Sequence, residues 1–450
     1  MNQIISPSVT NAATEGATPQ LHLNLFLDGF GHHVASWRHP ESQLNRSAFA
    51  RYLEAAKIAE QGKFDAVFFA DSLAMDPNVT HSGKVRGHEI EPLTLLSAIA
   101  AQTSHIGLIG TATTTYNEPY HIARKFASLD LISEGRAGWN LVTTDLAAEA
   151  LNFNSEVHVP HQDRYERAEE FYDVVQGLWQ SWEQDALLKD KAQGQFFDPE
   201  KLHPLNHRGK HFKVAGPLNV GPSAQGHPII VQAGSSERGR ELAARTADVI
   251  FTAQADFQTA RAFYADVKSR LSRYGRQAHE LSILPGLYVV VAKTEQEALY
   301  KQKILDDLIE ERVGLGLLGR MLGNFDLSTL DVDAPLPELE LTQTGQQSRQ
   351  ALFTRLSQEQ GLTVKQLYQR VAAGRGHFSL VGTADMIADQ MEYWLKHQAA
   401  DGFNIMPALL PSGAQDFIEQ VVPILQQKKI FRTEYSATTL RAHYQPTQIA

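Results

Sequence analysis

Short apolar runs alternate with amphipathic helical stretches along most of this chain, and that alternation restricts it to a parallel sheet with crossover helices. Eight runs read as strands, at residues 21–27, 66–70, 106–113, 137–142, 228–232, 247–252, 282–291 and 402–406. Helical periodicity fills most of the gaps, at 46–61, 92–103, 119–133, 164–182, 236–245, 257–274 and 414–426. Eight strands in that order suit a closed barrel, an α/β fold of the (β/α)8 TIM type.

Two gaps exceed a simple βα unit. Residues 183–227 carry Pro, Gly, His and Phe with little helical periodicity, an insertion after strand four. Residues 294–401 are partly helical, with a looser stretch at 331–343, an insertion after strand seven. Loops that long in a compact fold are usually lids or oligomer contacts. The expected organisation is a tail over 1–20, one barrel domain over 21–444, and a short tail over 445–450. The apolar stretch 421–431 reads either as a surface for a neighbour or as the last barrel helix with its tail.

The bulk numbers exclude several classes of function. The chain has 450 residues, 43% of them hydrophobic and 20% charged, enough for a large ordered core. Its formal net charge is −10, with no basic cluster, which argues against nucleic-acid and anionic-membrane partners. It has no cysteine, so disulfides, thiolate metal sites, iron–sulfur clusters and a cysteine nucleophile are excluded. The first twenty residues are polar and lack the layout of a secretory signal. No run approaches the roughly 20 apolar residues that span a bilayer. A soluble cytoplasmic protein is expected. There is no internal repeat, no G-x-G-x-x-G after a strand, no P-loop and no H-E-x-x-H, and HEIEP at His88 has the wrong spacing for a zinc pair.

In a barrel of this type the active site lies at the C-terminal ends of the strands. Strand two ends in FFADS, which places Asp71 and Ser72 at the rim. Strand three ends in GTATTTYNEPY, presenting Thr111 to Tyr116, and strand four in GWNLVTT, presenting Asn140 and Thr143. The threonines are also ordinary strand formers, and Asn140 could be a local backbone cap. Strand five runs into VQAGSSERGRELA, where Gly234 permits an unusual turn and Ser235 and Ser236 stand at a helix N-terminus. Free N–H groups and the helix dipole favour a phosphate there, though a serine N-cap explains the same residues. In VPHQDRYERAEEF, His161 and Tyr165 are four apart and share a face if the helix has begun. They could hold a phosphate or a ribityl hydroxyl, or simply form a helix start with Asp163 as its cap. His32, His33 and His39 cluster after strand one. A residue facing substrate or cofactor, a metal ligand and a structural role all remain open for them, although no carboxylate lies at tight spacing.

Taken together, GHHVASWRHP, GKFDAVFFADS, IGLIGTATTTYNEPYHIARKFASLDLISEGRAGWNLVTT, VPHQDRYERAEEFYDVVQGLW, PIIVQAGSSERGRELAARTADVIFTA, GHFSLVGT, ADGFNIMP and FRTEY resemble the bacterial-luciferase-like flavin monooxygenases. The resemblance is to their nitrilotriacetate and dibenzothiophene-sulfone monooxygenase branch, and it runs from about Leu21 to Tyr444. It implies a two-component system. A separate NAD(P)H:flavin reductase makes FMNH2, which diffuses to this chain, and reduced FMN activates O2 as a C4a-(hydro)peroxide to oxygenate a small organic substrate. C–N or C–S cleavage can follow. The missing dinucleotide fingerprint accords with that division of labour.

The resemblance also implies flavin contacts at Asp71, Thr111, Asn140, His161, Tyr165, Ser235 and Ser236, with the phosphate after strand five. A catalytic acid or base is not identified by it; His33 and His377 are the candidates to meet substrate or peroxide. Arg38, Lys84 and Arg86 could meet an anionic substrate or be solvated loop charges. A homodimer or homotetramer is expected. The rival readings are a deazaflavin-dependent oxidoreductase, which would not consume oxygen, and a non-catalytic flavin-binding protein of the same fold.

Overall fold

Nine parallel strands make one sheet in the computed structural model, which describes residues 20–75, 90–144, 146–338 and 347–445. They are β1 (His22–Phe26), β2 (Ala66–Phe69), β3 (Gly107–Thr113), β4 (Ala137–Val142), β5 (Ile229–Gln232), β6 (Val249–Thr252), β7 (Ser282–Val291), β8 (Phe378–Gly382) and β9 (Gly402–Pro407). The pairing order is β8-β7-β9-β1-β2-β3-β4-β5-β6, and a further β6–β7 pairing closes the ring. Eight strands therefore form the expected barrel.

The ninth strand, β8, was not anticipated. The ten-residue β7 is long enough to serve two partners on one edge. Its first half pairs with β6, from Val249↔Ser282 to Thr252↔Pro285. Its second half pairs with β8, from Phe378↔Leu287 to Gly382↔Val291. The other edge carries β9. The middle of β8 is only half-buried, so it lacks the continuous apolar run that marks the barrel strands.

Side chains alternate as a barrel requires. Phe26, Phe68, Ile109, Val231, Leu284 and Met406 pack inside. Leu23, Leu25, Val67, Phe69 and Leu108 face the surrounding helices. Those helices are α1 (Ala48–Gln61), α2 (Pro92–Ala100), α3 (Pro119–Ile132), α4 (His161–Trp179), α5 (Glu237–Thr246) and α6 (Phe257–Arg270). The insertion after β7 contributes α7 (Glu295–Asp307), α8 (Glu311–Met321), α9 (Gln347–Gln360), α10 (Val364–Gly374) and α11 (Ala384–Lys396). The insertion after β4 is nearly helix-free, with a two-residue ribbon of His207–Arg208 and Lys213–Val214.

The chain ends in α12 (Ser412–Gln420), α13 (Val422–Gln427) and α14 (Leu440–Tyr444). The single helix read over 414–426 is thus two, divided just before Pro423, which cannot donate to a continuous ladder. Val421, Val422, Leu425, Ile430 and Phe431 are buried in the main core, so this stretch packs on its own barrel. Leu440 and Tyr444 plug the N-terminal end of the barrel, where the Tyr444 hydroxyl donates to Asn24 Oδ1 at 2.6 Å. Beside them Asp65 is fully buried, accepting from the Leu23 N–H at 2.7 Å and facing His22 and Arg432. No helix among the described residues is long and apolar enough to cross a membrane.

Candidate active site

At the opposite, C-terminal end of the barrel, Thr111 and Asn140 are direct neighbours across β3 and β4. Asn140 Nδ2 donates to Thr111 Oγ1 at 2.8 Å, and both residues are buried. The other polar atom of the amide, Oδ1, is buried without a hydrogen-bond partner. An acceptor left so costs free energy unless a ligand satisfies it. Asp71 lies at the rim beyond β2. Burial raises its carboxyl to about 7, against a backbone hydrogen bond at Ser72, and the charges of Glu91 and Glu149 raise it further.

A second cluster forms where α4 meets the start of α5. The sequence pattern placed the start of α4 at residue 164, but the helix begins at His161, directly after Pro160, which holds an extended N-cap conformation. Those three extra residues put His161 and Tyr165 on one face, their rings 4.8 Å apart. Asp163 lies in the first turn, and Pro160 takes the cap. Ser236 is the N-cap of α5 and accepts from the Gly239 N–H at 3.1 Å. Its hydroxyl also reaches the Tyr165 hydroxyl at 3.5 Å. Backbone approaches closely here. A Cβ on Gly234 would lie 3.0 Å from Gly239 Cα and 3.1 Å from the Tyr165 hydroxyl, so close packing, and not the unusual turn expected from the sequence, favours glycine here. Ser235 is exposed beside Ser236. Burial, then the cationic charges of Arg164 and Arg238, holds the His161 imidazole below its ordinary value. The structure therefore gathers His161, Tyr165 and Ser236 around a helix N-terminus flanked by two guanidinium groups, the physical setting of an anion site.

Inside the barrel lies an aromatic floor. Phe26, Phe68 and Phe251 have ring centroids 5.1–5.8 Å apart. His377 lies flat on Phe251 at 5.2 Å with planes 5° apart. Gly286 makes room for it, since a Cβ there would sit 2.3 Å from His377 Nδ1. His32 stands edge-on to His377 at 6.3 Å and to Phe26 at 5.5 Å.

His33 is placed elsewhere. Its Nδ1 accepts the Ala35 N–H at 3.1 Å, and its Nε2 faces Asp306 at 3.4 Å, with the side chain fully buried. Adjacent histidines thus point to different surroundings, and His32 is the one beside the floor. Tyr116, placed at the rim by the strand-three motif, hydrogen-bonds at 2.9 Å with His158, which sequence reasoning did not single out, near the buried Glu149. Among the described residues no His, Asp and Glu side chains converge as a metal site. His88, Lys84 and Arg86 lie outside the described residues; Arg38 faces Glu310 at 3.8 Å.

A closed barrel with polar groups at the strand C-termini, an aromatic cluster and a helix N-terminus beside His161 and Tyr165 is the architecture of a TIM-barrel enzyme. Residues 30–401 match the luciferase-like monooxygenase family, and the chain belongs to it. It is 50% identical over 431 residues to the N-acetyl-S-(2-succino)cysteine monooxygenase of Bacillus subtilis (strain 168), covering 94% of this chain and 96% of that one. It is 49% identical over 438 residues to nitrilotriacetate monooxygenase component A of Aminobacter aminovorans, covering 95% and 97%. The solved structure of DmoA from Hyphomicrobium sulfonivorans superposes with a TM-score of 0.87 at 31% identity, over 95% of this chain and 93% of that one. The chain is accordingly a flavin-dependent monooxygenase of the branch that its motifs resemble.

Proposed function

We propose that this chain is the oxygenase of a two-component system, taking FMNH2 by diffusion from a separate NAD(P)H:flavin reductase. The observation that carries this reading is the meeting of His161, Tyr165 and Ser236 at the start of α5. That cluster suits a monoester phosphate. The unpartnered Asn140 Oδ1 suits a donor on the edge of the flavin ring, held in place by Thr111, and Asp71 completes that rim. Reduced flavin supplies two electrons, so that one atom of O2 enters the substrate and the other leaves as water. The protein positions the substrate over Phe251 and His377 and keeps water from the floor. A homodimer or homotetramer is the expected assembly.

The substrate class follows from the two relatives near half identity, whose named substrates are small molecules with several carboxylates. We assign this chain a small polycarboxylate with a C–N or C–S bond. Hydroxylation of the carbon beside the heteroatom gives a carbinol that expels nitrogen or sulfur, so bond cleavage follows oxygenation without a second enzyme group. The test is to load the protein anaerobically with FMNH2, then add 18O2 with N-acetyl-S-(2-succino)cysteine or nitrilotriacetate. Cleaved product carrying one 18O atom is expected from at least one of them. Quantitative release of hydrogen peroxide with both substrates intact would overturn the reading.

A further inference from the structure

Asn404 is fully buried, and among the described residues neither polar atom of its amide, Oδ1 or Nδ2, has a hydrogen-bond partner. It stands on β9 between Phe403 and Ile405, which pack outward, so its side chain points into the barrel. An amide serving only the fold would be bonded, because an unsatisfied buried donor and acceptor cost more than an apolar residue of the same size. Its register partner on β1, Asn24, is inward-facing too, yet accepts the Tyr444 hydroxyl.

The strand registers show what surrounds this amide. Asn404 pairs through Asn24 with Ala66, two residues before Phe68. Phe68 pairs through Ile109 with Gly138, two before Asn140. Asn140 pairs through Val231 with Val249, two before Phe251. Phe251 pairs with Leu284, two before Gly286, which is in register with Asn404. A steady advance of two residues at every second strand is the stagger of an eight-stranded barrel, and it sets Phe68, Asn140, Phe251 and Asn404 in one layer. Phe68 and Phe251 meet in the middle with ring centroids 5.1 Å apart. Asn140 and Asn404 flank that pair from opposite walls, and each has an unpaired amide atom. In the next layer up, Gly286 brings no side chain, and the space is filled by His377 from the loop before β8.

We propose that Asn404 contacts the substrate and selects one in which an N–H stands next to a carboxylate. The proposal rests on the reading above, of a polycarboxylate lying over Phe251 and His377. Asn140 faces the flavin edge from one wall, and Asn404 is the matching amide on the wall beside His377. Its Oδ1 accepts and its Nδ2 donates, so an N–H with a neighbouring carboxylate oxygen satisfies both atoms at once. N-acetyl-S-(2-succino)cysteine carries that pair as an amide N–H, and nitrilotriacetate as an amine protonated at neutral pH. For the contact to form, the His377 ring turns off Phe251; it is carried by a loop and not by a barrel strand. Asn404 is thus a specificity-determining residue.

The test is calorimetric titration of two matched pairs into the protein saturated anaerobically with reduced FMN. One pair is N-acetyl-S-(2-succino)cysteine and the same thioether with hydrogen in place of the acetamido group. The other is nitrilotriacetate and methanetriacetate, in which C–H replaces the protonated nitrogen. In at least one pair wild type should bind the nitrogen compound about tenfold more tightly, and Asn404→Leu should bind both members equally. Leucine removes two unsatisfied groups, so the variant should melt no lower than wild type and keep its FMN affinity. The preference is a ratio between two ligands on one protein, so a loss of stability leaves it readable. Equal affinity within the pairs on wild type, or a preference that survives in Asn404→Leu, overturns the contact and leaves the polycarboxylate reading standing. A lower melting temperature with FMN affinity lost in parallel shows an amide serving the fold and also overturns it. Binding of none of the four compounds to wild type removes the polycarboxylate reading, and the contact with it.

Discussion

The Asn140 amide donates to the Thr111 hydroxyl at 2.8 Å across adjacent strands and leaves its own Oδ1 buried and unpaired. With the amide in this orientation its unpaired atom is an acceptor, and Thr111 is the partner that holds the amide. The two residues consequently make separable predictions. Asn140→Ala removes the ligand-facing acceptor and should weaken FMNH2 binding by about 1 kcal/mol, close to fivefold, in an anaerobic fluorescence titration. Thr111→Val removes the partner that orients the amide and should lower stability by about 1–2 kcal/mol in denaturant unfolding. Equal FMNH2 affinity in both variants and wild type would remove this pair from the flavin site.

The cluster at the start of α5 predicts a choice between cofactors. Tyr165 lies 3.5 Å from Ser236 but takes no part in the helix cap, whereas Ser236 caps Gly239. Tyr165→Phe should therefore reduce affinity for FMNH2 by about 1.5 kcal/mol and leave stability near wild type. Ser236→Ala should do the same and also lose about 1 kcal/mol of stability through the missing cap. Neither change should alter binding of reduced riboflavin, which has no phosphate. A parallel loss for riboflavin and FMN would move the phosphate away from this helix.

Much of this arrangement was legible in the sequence, for a definite reason. The barrel strands are buried on both faces and so read as continuous apolar runs, and the rule that barrel sites sit at strand ends picked out Thr111, Asn140 and Ser236. β8 escaped because it pairs only with the overhang of β7 and is half-exposed along its middle. The start of α4 was read three residues late because Pro160, ordinarily a helix neighbour, holds the cap itself. The choice between His32 and His33 was illegible, because it depends on the loop path and on Asp306, 273 residues away from His33.

Asp71 predicts a pH dependence at the rim. Its carboxyl is raised from 3.8 to about 7, chiefly by burial. The folded protein therefore holds this proton more tightly than the unfolded chain. The associated stability is complete below about pH 4, declines as pH rises, and is gone above about pH 7. Asp71→Asn keeps a neutral side chain at every pH. Its melting temperature should match wild type below about pH 4, and exceed it by a margin that grows up to about pH 7 and is constant above it. FMNH2 affinity in wild type should change between pH 6 and 8, and in Asp71→Asn that change should be lost. A constant offset between the two proteins across this range would exclude a titrating Asp71.

The barrel's other end predicts the reverse sign. Burial alone would raise the Asp65 carboxyl, yet the charges of Arg432, His22 and His443 and the hydrogen bond from His22 outweigh it and hold the group at about 2. The folded state binds this proton less tightly than the unfolded chain, whose aspartate titrates near 3.9. The stabilisation is thus present above about pH 4 and is lost as pH falls toward 2. A shift from 3.8 to about 2 corresponds to about 2 kcal/mol. Asp65→Asn should cost at least that much at pH 7, because it also leaves Arg432 beside a neutral group in a buried site. The difference in urea midpoint between the two proteins should shrink steadily below pH 4. Asp65 lies at the N-terminal end of the barrel, away from Thr111 and Asn140, so FMNH2 affinity at pH 7 should be unchanged in the folded variant. A variant that kept its stability but lost the flavin would contradict the separation of a stability end from a catalytic end on which the site assignment depends.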